Sequence, residues 1–346
     1  MGILYLSDLI PKNSNYKKFV VDSKLQYFKP HATKIEKTFS EEILFGLNRS
    51  SKFISPKFFY DQRGSDLFED ICTLPEYYPT RTEVSILETL RDELPPYLDS
   101  DFRLVELGSG SSIKTRLILD VFAKIQDKIE YFPIDISEIL PESSEQLLQD
   151  YEGLHVTGII DTYEGGLEFI KTYDTKKNLI IFLGSSFGNF PPKDGSEFLQ
   201  KINSTMKAGD LFLIGLDLVK DKKILEPAYD DSQGITAKFN LNVLSRINNE
   251  LDGDFDLQNF KHRAVYNEAD QRIEMYLEST VNQSAVLSKP NLVLNFKKDE
   301  LIHTEYSHKF RVSQIRELLD DTGFKIEHIW LDDDKYFALT LASKAT

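Results

Sequence analysis

A short glycine- and serine-rich segment lies between a strand-like and a helix-like stretch near the middle of the chain. It runs Val105-Glu-Leu-Gly-Ser-Gly-Ser-Ser-Ile-Lys-Thr115, with glycines at positions 108 and 110. Glycine lets the backbone turn tightly and approach a ligand closely, and the free N–H groups that begin the following helix favour an anionic ligand group. A dinucleotide fingerprint requires a third glycine at position 113, where the chain has Ile113. The segment therefore predicts a nucleoside ligand that lacks a pyrophosphate, such as S-adenosylmethionine.

An aspartate at the end of the next strand-like segment suits the same ligand. Asp135 closes the segment Ile129–Asp135, and a carboxylate at this place in a nucleotide-binding fold accepts hydrogen bonds from ribose hydroxyls. Asp161-Thr-Tyr-Glu164 follows the third such segment, where an adenine contact is expected. A glycine turn without a ligand and an ordinary loop aspartate remain the alternative interpretations.

Strand-like and helix-like segments alternate between residues 100 and 220, which indicates βαβ units and a parallel, doubly wound sheet. A helix over Val312–Asp321, ended by Gly323, precedes two more strand-like segments, 325–330 and 336–341. They predict a terminal antiparallel hairpin, a feature of class I methyltransferases that dinucleotide dehydrogenases lack. The strands predicted for the parallel sheet are Phe102–Leu107, Ile129–Asp135, Leu154–Ile160, Asn178–Gly184 and Asp210–Leu216.

Residues 220–308 interrupt this alternation. Segments 263–267 and 272–278 flank a turn and predict a hairpin, and 292–297 and 302–310 add strands. Residues 1–81, which we predict to be mainly helical and rich in aromatic residues, are expected to join this insertion. We therefore predict an α/β protein: a class I methyltransferase, Rossmann-like domain over 82–219 and 309–346, and a smaller α+β substrate-binding domain over 1–81 and 220–308.

Composition narrows the class of partner. The chain has 41 basic and 56 acidic residues among 346, a net charge of −15, which disfavours binding to nucleic acid or to anionic membranes. The single cysteine, Cys72, excludes a disulfide framework. His303 and His308 stand five apart in a strand-like segment and are predicted to face opposite sides, so no metal site is expected. We expect a cytoplasmic monomer that handles a small molecule, with 220–223 as a solvated charge run.

A rival motif is present at Gly184-Ser-Ser-Phe-Gly188, which fits the G-x-S-x-G nucleophile elbow of serine hydrolases. Ser186 would then be the nucleophile, with a base from among the histidines. No HGGG-like segment precedes it, and this interpretation leaves Gly108, Gly110 and Asp135 without a role. A serine hydrolase is therefore the remote alternative.

Aromatic residues crowd the segment 58–81, which contains Phe58-Phe-Tyr60, Phe68 and Tyr77-Tyr78. By base rate such residues form a hydrophobic core. A methyltransferase that acts on an amine gives them a second use. Each methylation removes an N–H donor, so the fully methylated cation is best held by carboxylates or by aromatic ring faces.

Several longer blocks resemble the histidine N-α-methyltransferases of ergothioneine biosynthesis and keep that family's order from about residue 40 to the C-terminus. They are residues 56–68, 74–83, 106–112, 182–189, 217–221, 228–231, 272–275 and 304–310. The resemblance implies three successive methyl transfers from S-adenosylmethionine to free L-histidine, which give the trimethyl betaine hercynine. It implies no metal.

The resemblance also assigns site residues by position. Those that match residues around the reacting nitrogen are Tyr60 and Phe68, of which Tyr60 also matches a cofactor contact. Those that match substrate contacts are Tyr77, Gly184, Ser186, Asn189 and Tyr229, together with Met275, Glu305 and Ser307 around the imidazole. Those that match cofactor contacts are Gly108, Ser109, Gly110, Lys114, Asp135, Asp161, Thr162 and Tyr163.

One position departs from the family pattern. The family has Gly-Asp-aromatic after the third strand, whereas this chain has Asp161-Thr-Tyr163, which puts Thr162 where the acid would align. Either the acid is shifted by one residue or the adenine amine is held in another way. A member of the same family that acts on an indole amino acid is the closer alternative. Glu305 and Ser307 argue against it, because an indole has one donor and no acceptor.

Overall fold

The computed structural model describes residues 15–31, 38–109, 113–137, 140–289 and 291–345. In these residues the strands are β1 (Tyr16–Val20), β2 (Leu25–Pro30), β3 (Lys52–Phe53), β4 (Phe102–Leu107), β5 (Ile129–Asp135), β6 (Leu154–Ile160), β7 (Lys177–Phe182), β8 (Leu211–Asp217), β9 (Phe260–Asn267), β10 (Arg272–Ser279), β11 (Gln283–Leu287), β12 (Leu292–Phe296), β13 (Leu301–His308), β14 (Phe324–Leu331) and β15 (Phe337–Lys344). The α-helices are α1 (Phe39–Leu47), α2 (Gln62–Thr73), α3 (Tyr78–Glu93), α4 (Ile113–Ile125), α5 (Leu140–Asp150), α6 (Tyr163–Tyr173), α7 (Pro192–Thr205), α8 (Lys222–Tyr229), α9 (Ile235–Leu251) and α10 (Val312–Asp321).

The central sheet has the order β1-β2-β6-β5-β4-β7-β8-β15-β14. Strands β4 to β8 pair in parallel, and β15 enters antiparallel beside β8, with Phe337 opposite Asp217. Every residue of β4 and of β8 is buried, because helices cover both faces of a parallel sheet. The predicted parallel sheet and terminal hairpin are confirmed, and the fold is that of a class I methyltransferase.

The N-terminal region differs from the prediction. Residues 16–30 form the hairpin β1-β2, and β2 pairs in parallel with β6 at the edge of the central sheet. Leu25 and Phe28 of β2 are buried in the cores of that sheet. The expectation that all of residues 1–81 are mainly helical and join the substrate-binding lobe is therefore wrong for this hairpin. The hairpin pairs with the edge of β6, because an unpaired strand edge leaves backbone N–H and C=O groups without partners.

A second, four-stranded sheet has the order β3-β13-β10-β9. Helix α9 packs against this sheet and against α2, and its buried residues Phe239, Val243 and Leu244 join the second hydrophobic core. That core also draws on residues 43–78 and 225–302. The sheets have separate cores, so we propose lobes that follow the predicted boundaries apart from the N-terminal hairpin and the start of α3.

No helix in the described part of the chain has the length and apolar character that crossing a membrane requires.

Candidate active site

The first glycine of the predicted cofactor loop lies directly after β4. Gly108 has a φ of +78°, a conformation that favours glycine. A Cβ atom at this position would come within 2.8 Å of the Tyr163 hydroxyl. Only glycine therefore fits in the narrow space between the backbone at position 108 and the Tyr163 hydroxyl. Ser109 is half-buried beside it, and Gly110 lies outside the described residues.

Asp135 ends β5, the strand next to β4. Its Oδ1 accepts a hydrogen bond of 2.9 Å from the Ser137 amide. Burial raises the pKa of the Asp135 carboxyl, an effect that the amides of Ser137 and Ser109 oppose. Ile136 beside it is 59% exposed. An apolar surface next to a carboxylate matches a purine nucleoside, which presents a flat ring face and two ribose hydroxyls.

Asp161 makes contacts that the sequence did not predict. Its Oδ2 accepts a hydrogen bond from the hydroxyl of Tyr16 in the N-terminal hairpin, and its Oδ1 accepts one of 2.8 Å from the Thr162 amide. Thr162 caps α6, because its hydroxyl accepts from the Gly165 amide at 3.2 Å. Tyr163, the next residue, is the one in this segment whose hydroxyl lies over Gly108.

A buried carboxylate links the loop after β7 to the start of α4. The Glu83 side chain is fully buried and accepts from the Gly184 amide at 2.9 Å. The Lys114 ammonium lies 2.5 Å from the other carboxylate oxygen. Gly184 has a φ of +82°, and a Cβ there would meet the Lys114 ammonium at 3.4 Å. The loop after β7 is thus fixed against the start of α4.

Aromatic rings from four segments form a cluster that we name the aromatic cluster. Tyr60 and Phe68 meet edge to face with ring centroids 5.6 Å apart, and Phe68 lies 6.2 Å from Tyr77. Tyr77 lies 6.1 Å from Tyr229, and Phe239 of α9 lies 5.8 Å from Tyr60. Tyr60 is 49% exposed, so about half of its surface is open to solvent. The structure thus brings together residues that are far apart in sequence.

Hydrogen bonds to α9 hold the segment that carries Tyr60 and Phe68. Asp61 caps α2 by accepting from the Gly64 amide at 2.7 Å, and the Asn242 amide group donates to the same carboxylate at 2.7 Å. Arg246 donates to the Phe58 carbonyl at 3.1 Å. These bonds fix the segment that carries Tyr60 beside α9.

Glu305 and Ser307 lie on β13, where they pair with Met275 and Ile273 of β10. Residues two apart on a strand share a face, so both side chains and that of the buried Met275 face the same side. Burial raises the pKa of Glu305 to about 7, although the Lys309 charge and a hydrogen bond from Asn189 act in the opposite direction. A carboxyl of this kind gains or loses its proton near neutral pH.

Asn189 lies beside Glu305, in the 3₁₀ turn Ser186–Asn189. Its Nδ2 donates to the Tyr306 carbonyl at 3.0 Å. The turn packs tightly on β13, because a Cβ at Gly188 would meet the His308 carbonyl oxygen at 2.8 Å. Ser186 itself is exposed.

A buried cation organises the hydroxyls behind this face. The Lys309 ammonium lies 2.7 Å from Asp217 Oδ2, 2.7 Å from the Tyr229 hydroxyl and 2.8 Å from Ser307 Oγ. The side chains of Lys309 and Asp217 are both fully buried. Although desolvation opposes it, the Asp217 charge raises the pKa of Lys309 above its ordinary value. Lys309 therefore stays protonated.

Lys220 belongs to the same group, and the prediction that residues 220–223 form a solvated charge run is wrong for this residue. Its ammonium pairs with Asp217, donates to the Tyr78 hydroxyl at 2.8 Å and lies 4.2 Å from the centroid of that ring. Burial lowers the pKa of Lys220 to about 8. A sequence pattern of alternating charges does not distinguish a lysine that turns inward toward a buried aspartate.

The argument that His303 and His308 face opposite sides is also wrong. A β-bulge between Met275 and Tyr276 shifts the register of β10 and β13, and one extra residue reverses the alternation of faces. The His303 ring lies 3.8 Å from Tyr306, and Tyr306 lies 6.1 Å from His308. Even so, no group of three potential metal ligands occurs in the described residues.

The rival nucleophile lacks its partners. Ser186 Oγ donates to the Leu183 carbonyl at 3.3 Å, and among the described residues it makes no hydrogen bond to a histidine. The left-handed residues of this turn are Gly184 and Ser185, with φ of +82° and 60°, whereas a nucleophile elbow places that strain on the nucleophile itself.

The sheet order, the terminal hairpin, and the glycine turn and carboxylate at the ends of β4 and β5 define a class I S-adenosylmethionine-dependent methyltransferase. Residues 39–344 match the family described as "Histidine-specific methyltransferase, SAM-dependent". The chain belongs to this family, and S-adenosylmethionine is its methyl donor.

Three characterised relatives are similar over most of the chain. The histidine N-alpha-methyltransferase of Mycolicibacterium smegmatis is 39% identical over 87% of this chain and 93% of its own length. The enzyme of the same name from Mycobacterium tuberculosis is 38% identical over 88% of this chain and 94% of its own length. Ergothioneine biosynthesis protein 1 of Schizosaccharomyces pombe is 30% identical over 85% of this chain and 40% of its own length.

Sequence reasoning missed five residues that build the site: Glu83, Asp217, Lys220, Phe239 and Lys309. All but Phe239 lie within or next to blocks that carry the family resemblance, which is the signal that could have found them. Phe239 lies in an ordinary amphipathic helix and has no such signal.

Proposed function

We propose that this enzyme methylates the α-amino nitrogen of free L-histidine three times and forms hercynine, the first step of ergothioneine biosynthesis. The observation that carries the proposal is the shared face of Glu305 and Ser307 next to the aromatic cluster, whose Tyr229 hydroxyl lies 2.8 Å from Ser307 Oγ. This arrangement offers polar groups for an imidazole at one end and rings for a methylated cation at the other. The family match supports the reaction class, and the site geometry supports the substrate.

Glu305 and Ser307 suit an imidazole because the ring has two nitrogens that require two polar partners. A carboxyl and a hydroxyl two residues apart on one strand reach both nitrogens of a single ring. Met275, 2% exposed and directly opposite Glu305, supplies an apolar surface for the ring face. An apolar aromatic amino acid would bury the Glu305 carboxyl and the Ser307 hydroxyl against a ring that offers them no hydrogen bond.

The substrate carboxylate fits between Asn189, Tyr77 and Tyr229. The Tyr229 hydroxyl receives a hydrogen bond from Lys309, and Asp217 is shared by Lys309 and Lys220. Two cations against one anion leave a positive charge behind the Tyr229 hydroxyl, and a positive charge favours an anionic ligand group. We infer that the carboxylate binds at this end.

The reacting nitrogen then lies near Tyr60 and Phe68, between the two lobes. Bound S-adenosylmethionine would supply an electrophilic methyl group on its sulfonium. Gly108, Ser109, Gly110, Asp135, Asp161, Thr162 and Tyr163 form the proposed binding surface for the nucleoside. Tyr60 would contact S-adenosylmethionine from the aromatic cluster, and Lys114, Gly184 and Ser186 would border the site on the side of the loop after β7. Orientation of the amine in line with the methyl group is the main contribution of these residues.

The aromatic cluster explains how one site serves three successive methyl transfers. The amine loses an N–H donor at each step, so hydrogen-bond acceptors become less useful as the reaction proceeds. Ring faces stabilise the cation without any donor, by roughly 0.5 to 2 kcal/mol per contact. Tyr60 and Phe68 therefore retain the partly methylated intermediates.

The alternative substrate within the family is an indole amino acid. An indole would place its ring against Glu305 and Ser307 with one donor and no acceptor. Burying an unpaired polar group costs about 1 to 3 kcal/mol, so the pair disfavours this substrate. We further infer a cytoplasmic monomer with no nucleic-acid or membrane partner, on the basis of the acidic composition and the single cysteine.

Steady-state kinetics of Glu305→Ala test the substrate. Loss of a buried, charge-assisted hydrogen bond should lower kcat/KM for histidine by about ten- to several-hundred-fold, at about 1.4 kcal/mol per tenfold. Affinity for S-adenosylhomocysteine should stay unchanged, and activity on an apolar aromatic amino acid should hold or rise. Glu274→Ala is the matched control, because this glutamate lies on the neighbouring strand and pairs with Arg272 instead. Full activity of Glu305→Ala on histidine would refute the assignment.

A further inference from the structure

The buried Lys309 ammonium uses all of its hydrogens within the protein. An ammonium has three N–H donors and no acceptor. Three oxygens surround it, Asp217 Oδ2 at 2.7 Å, the Tyr229 hydroxyl at 2.7 Å and Ser307 Oγ at 2.8 Å. Both hydroxyl oxygens must therefore accept from Lys309, and neither can donate to it.

The two hydroxyls also bond to each other. The Tyr229 hydroxyl and Ser307 Oγ are 2.8 Å apart, and either can be the donor. Each hydroxyl has one hydrogen and two lone pairs. One of the two hydrogens forms the bond between the two hydroxyls, so the other hydrogen remains available to a ligand. If Tyr229 donates to the ligand, Ser307 can only accept, and if Ser307 donates to the ligand, Tyr229 can only accept.

The charge behind the pair decides between these two arrangements. Lys309 and Lys220 together outnumber Asp217 by one positive charge, which the Glu305 carboxyl facing Lys309 offsets only while it is ionised. An anionic group next to Tyr229 is therefore favoured, and a carboxylate only accepts hydrogen bonds. Tyr229 must donate to it, so Ser307 donates to Tyr229 and keeps one lone pair for the imidazole. This step rests on the proposed function, which places the substrate carboxylate at Tyr229.

We propose that the site binds the imidazole of histidine together with one additional proton, which the ring shares with Glu305. Ser307, as an acceptor, requires an N–H on the ring nitrogen that faces it. The other ring nitrogen faces Glu305, and a carboxylate cannot donate to a bare nitrogen. A proton must lie between the two, either as an imidazolium beside a carboxylate or as a neutral imidazole beside a carboxylic acid.

The surroundings of Glu305 favour this uptake. Among the described residues, the titratable groups that face it are Lys309, directly after its strand, and the hydroxyls of Tyr60, Tyr77 and Tyr229. Burial raises the pKa of Tyr77 and Tyr229, desolvation of its hydroxyl raises that of Tyr60, and all three stay neutral while Lys309 stays charged. Glu305, with its pKa raised to about 7, is thus the group of this set that takes up a proton near neutral pH.

Calorimetric titration counts the proton. The full chain, saturated with S-adenosylhomocysteine, is titrated with hercynine at pH 8 in two buffers of different ionisation enthalpy. Hercynine is the suitable probe because its quaternary nitrogen cannot titrate. We expect uptake of about one proton per hercynine bound and an affinity that falls roughly tenfold per pH unit above pH 8.

Two variants isolate the source of the proton. Glu305→Gln offers an amide N–H to the ring nitrogen, so binding should take up no proton and should not depend on pH. Ser307→Ala removes the acceptor that forces the ring N–H, and should also reduce the uptake to near zero. Lys220, with its pKa lowered to about 8, is retained in both variants and cancels in the comparison.

The possible failures are distinct. Hercynine binding to the wild-type chain without proton uptake would overturn this inference and leave the substrate assignment intact. The same uptake in Glu305→Gln as in the wild type would also overturn it. An absence of hercynine binding while S-adenosylhomocysteine still binds would overturn the proposed function and this inference with it.

Discussion

Glu305→Gln is expected to make the ligand-free enzyme more stable at alkaline pH. Burial raises the pKa of Glu305 from 4.5 to about 7, so the folded state disfavours the ionised carboxylate. A raised pKa contributes stability that is fully present below pH 4.5 and is lost as the pH rises through 7. Glutamine imitates the protonated form at every pH and does not lose this contribution.

The size of the effect follows from the shift. A change from 4.5 to about 7 corresponds to at most about 3 to 4 kcal/mol, and Glu305 is only partly buried, so we expect about 1 to 3 kcal/mol. The difference between variant and wild type should be near zero at pH 4.5, grow up to pH 7 and remain constant above it. Urea denaturation of both proteins at pH 5, 6, 7 and 8 measures it.

Glu274→Gln on the neighbouring strand is the matched control and should have the opposite sign. Although burial acts in the other direction, hydrogen bonds from Tyr276, Arg272 and Asn267 lower the pKa of Glu274. Its ionised form stabilises the fold above pH 4.5, and glutamine removes that contribution. Equal stability of Glu305→Gln and the wild type at pH 8 would refute the claim that Glu305 is desolvated, as would a loss of stability in that variant.

Two further predictions concern the cofactor and the later methyl transfers. Asp135→Ala should weaken S-adenosylhomocysteine binding in calorimetry by roughly tenfold or more, as expected for loss of a hydrogen-bonded carboxylate. Asp194→Ala, on the exposed side of α7, is the control and should leave binding unchanged. Equal binding by both variants would show that Asp135 is not part of the site. Phe68→Leu should accumulate monomethyl- and dimethylhistidine in a time course followed by mass spectrometry, because the ring stabilises the later intermediates. Equal slowing of all three steps would mean that Phe68 only packs, and Phe45→Leu, a change outside the aromatic cluster, should leave the product ratio unaltered.

The central sheet could be predicted because its strands are short, apolar and regularly separated by helical segments. Each predicted strand from Phe102 to Leu216 agrees with the structure within about two residues at either end. The terminal hairpin was predictable for the same reason, since the turn 331–335 separates two apolar runs. Burial on both faces leaves little ambiguity in such a pattern.

The N-terminal hairpin was not predictable from local sequence. Strand β1 has the sequence Tyr-Lys-Lys-Phe-Val and no buried residue, so its own pattern does not require a sheet. Strand β1 forms because it pairs with β2, which in turn pairs with the edge of β6. Strand β6 lies about 130 residues further along the chain. Tertiary pairing outweighs local preference in such cases.

The site was predictable where the family blocks carried it and unpredictable where it depends on spatial pairing. Glu305 and Ser307 were placed on one face by a strand argument that the structure supports. The same argument failed for His303 and His308, because a bulge reverses the alternation of faces between them. Lys309 and Asp217 meet only in three dimensions, across about ninety residues, and no spacing rule predicts a buried ion pair at that separation.

Mass spectrometry of histidine incubated with the purified chain and S-adenosylmethionine tests the central claim most directly. The account predicts a product heavier than histidine by three methyl groups, with all three on the α-amino nitrogen. Glu305→Ala should form it far more slowly under the same conditions. A chain that binds S-adenosylmethionine but adds no methyl group to histidine, or that methylates the imidazole ring instead, would contradict the account.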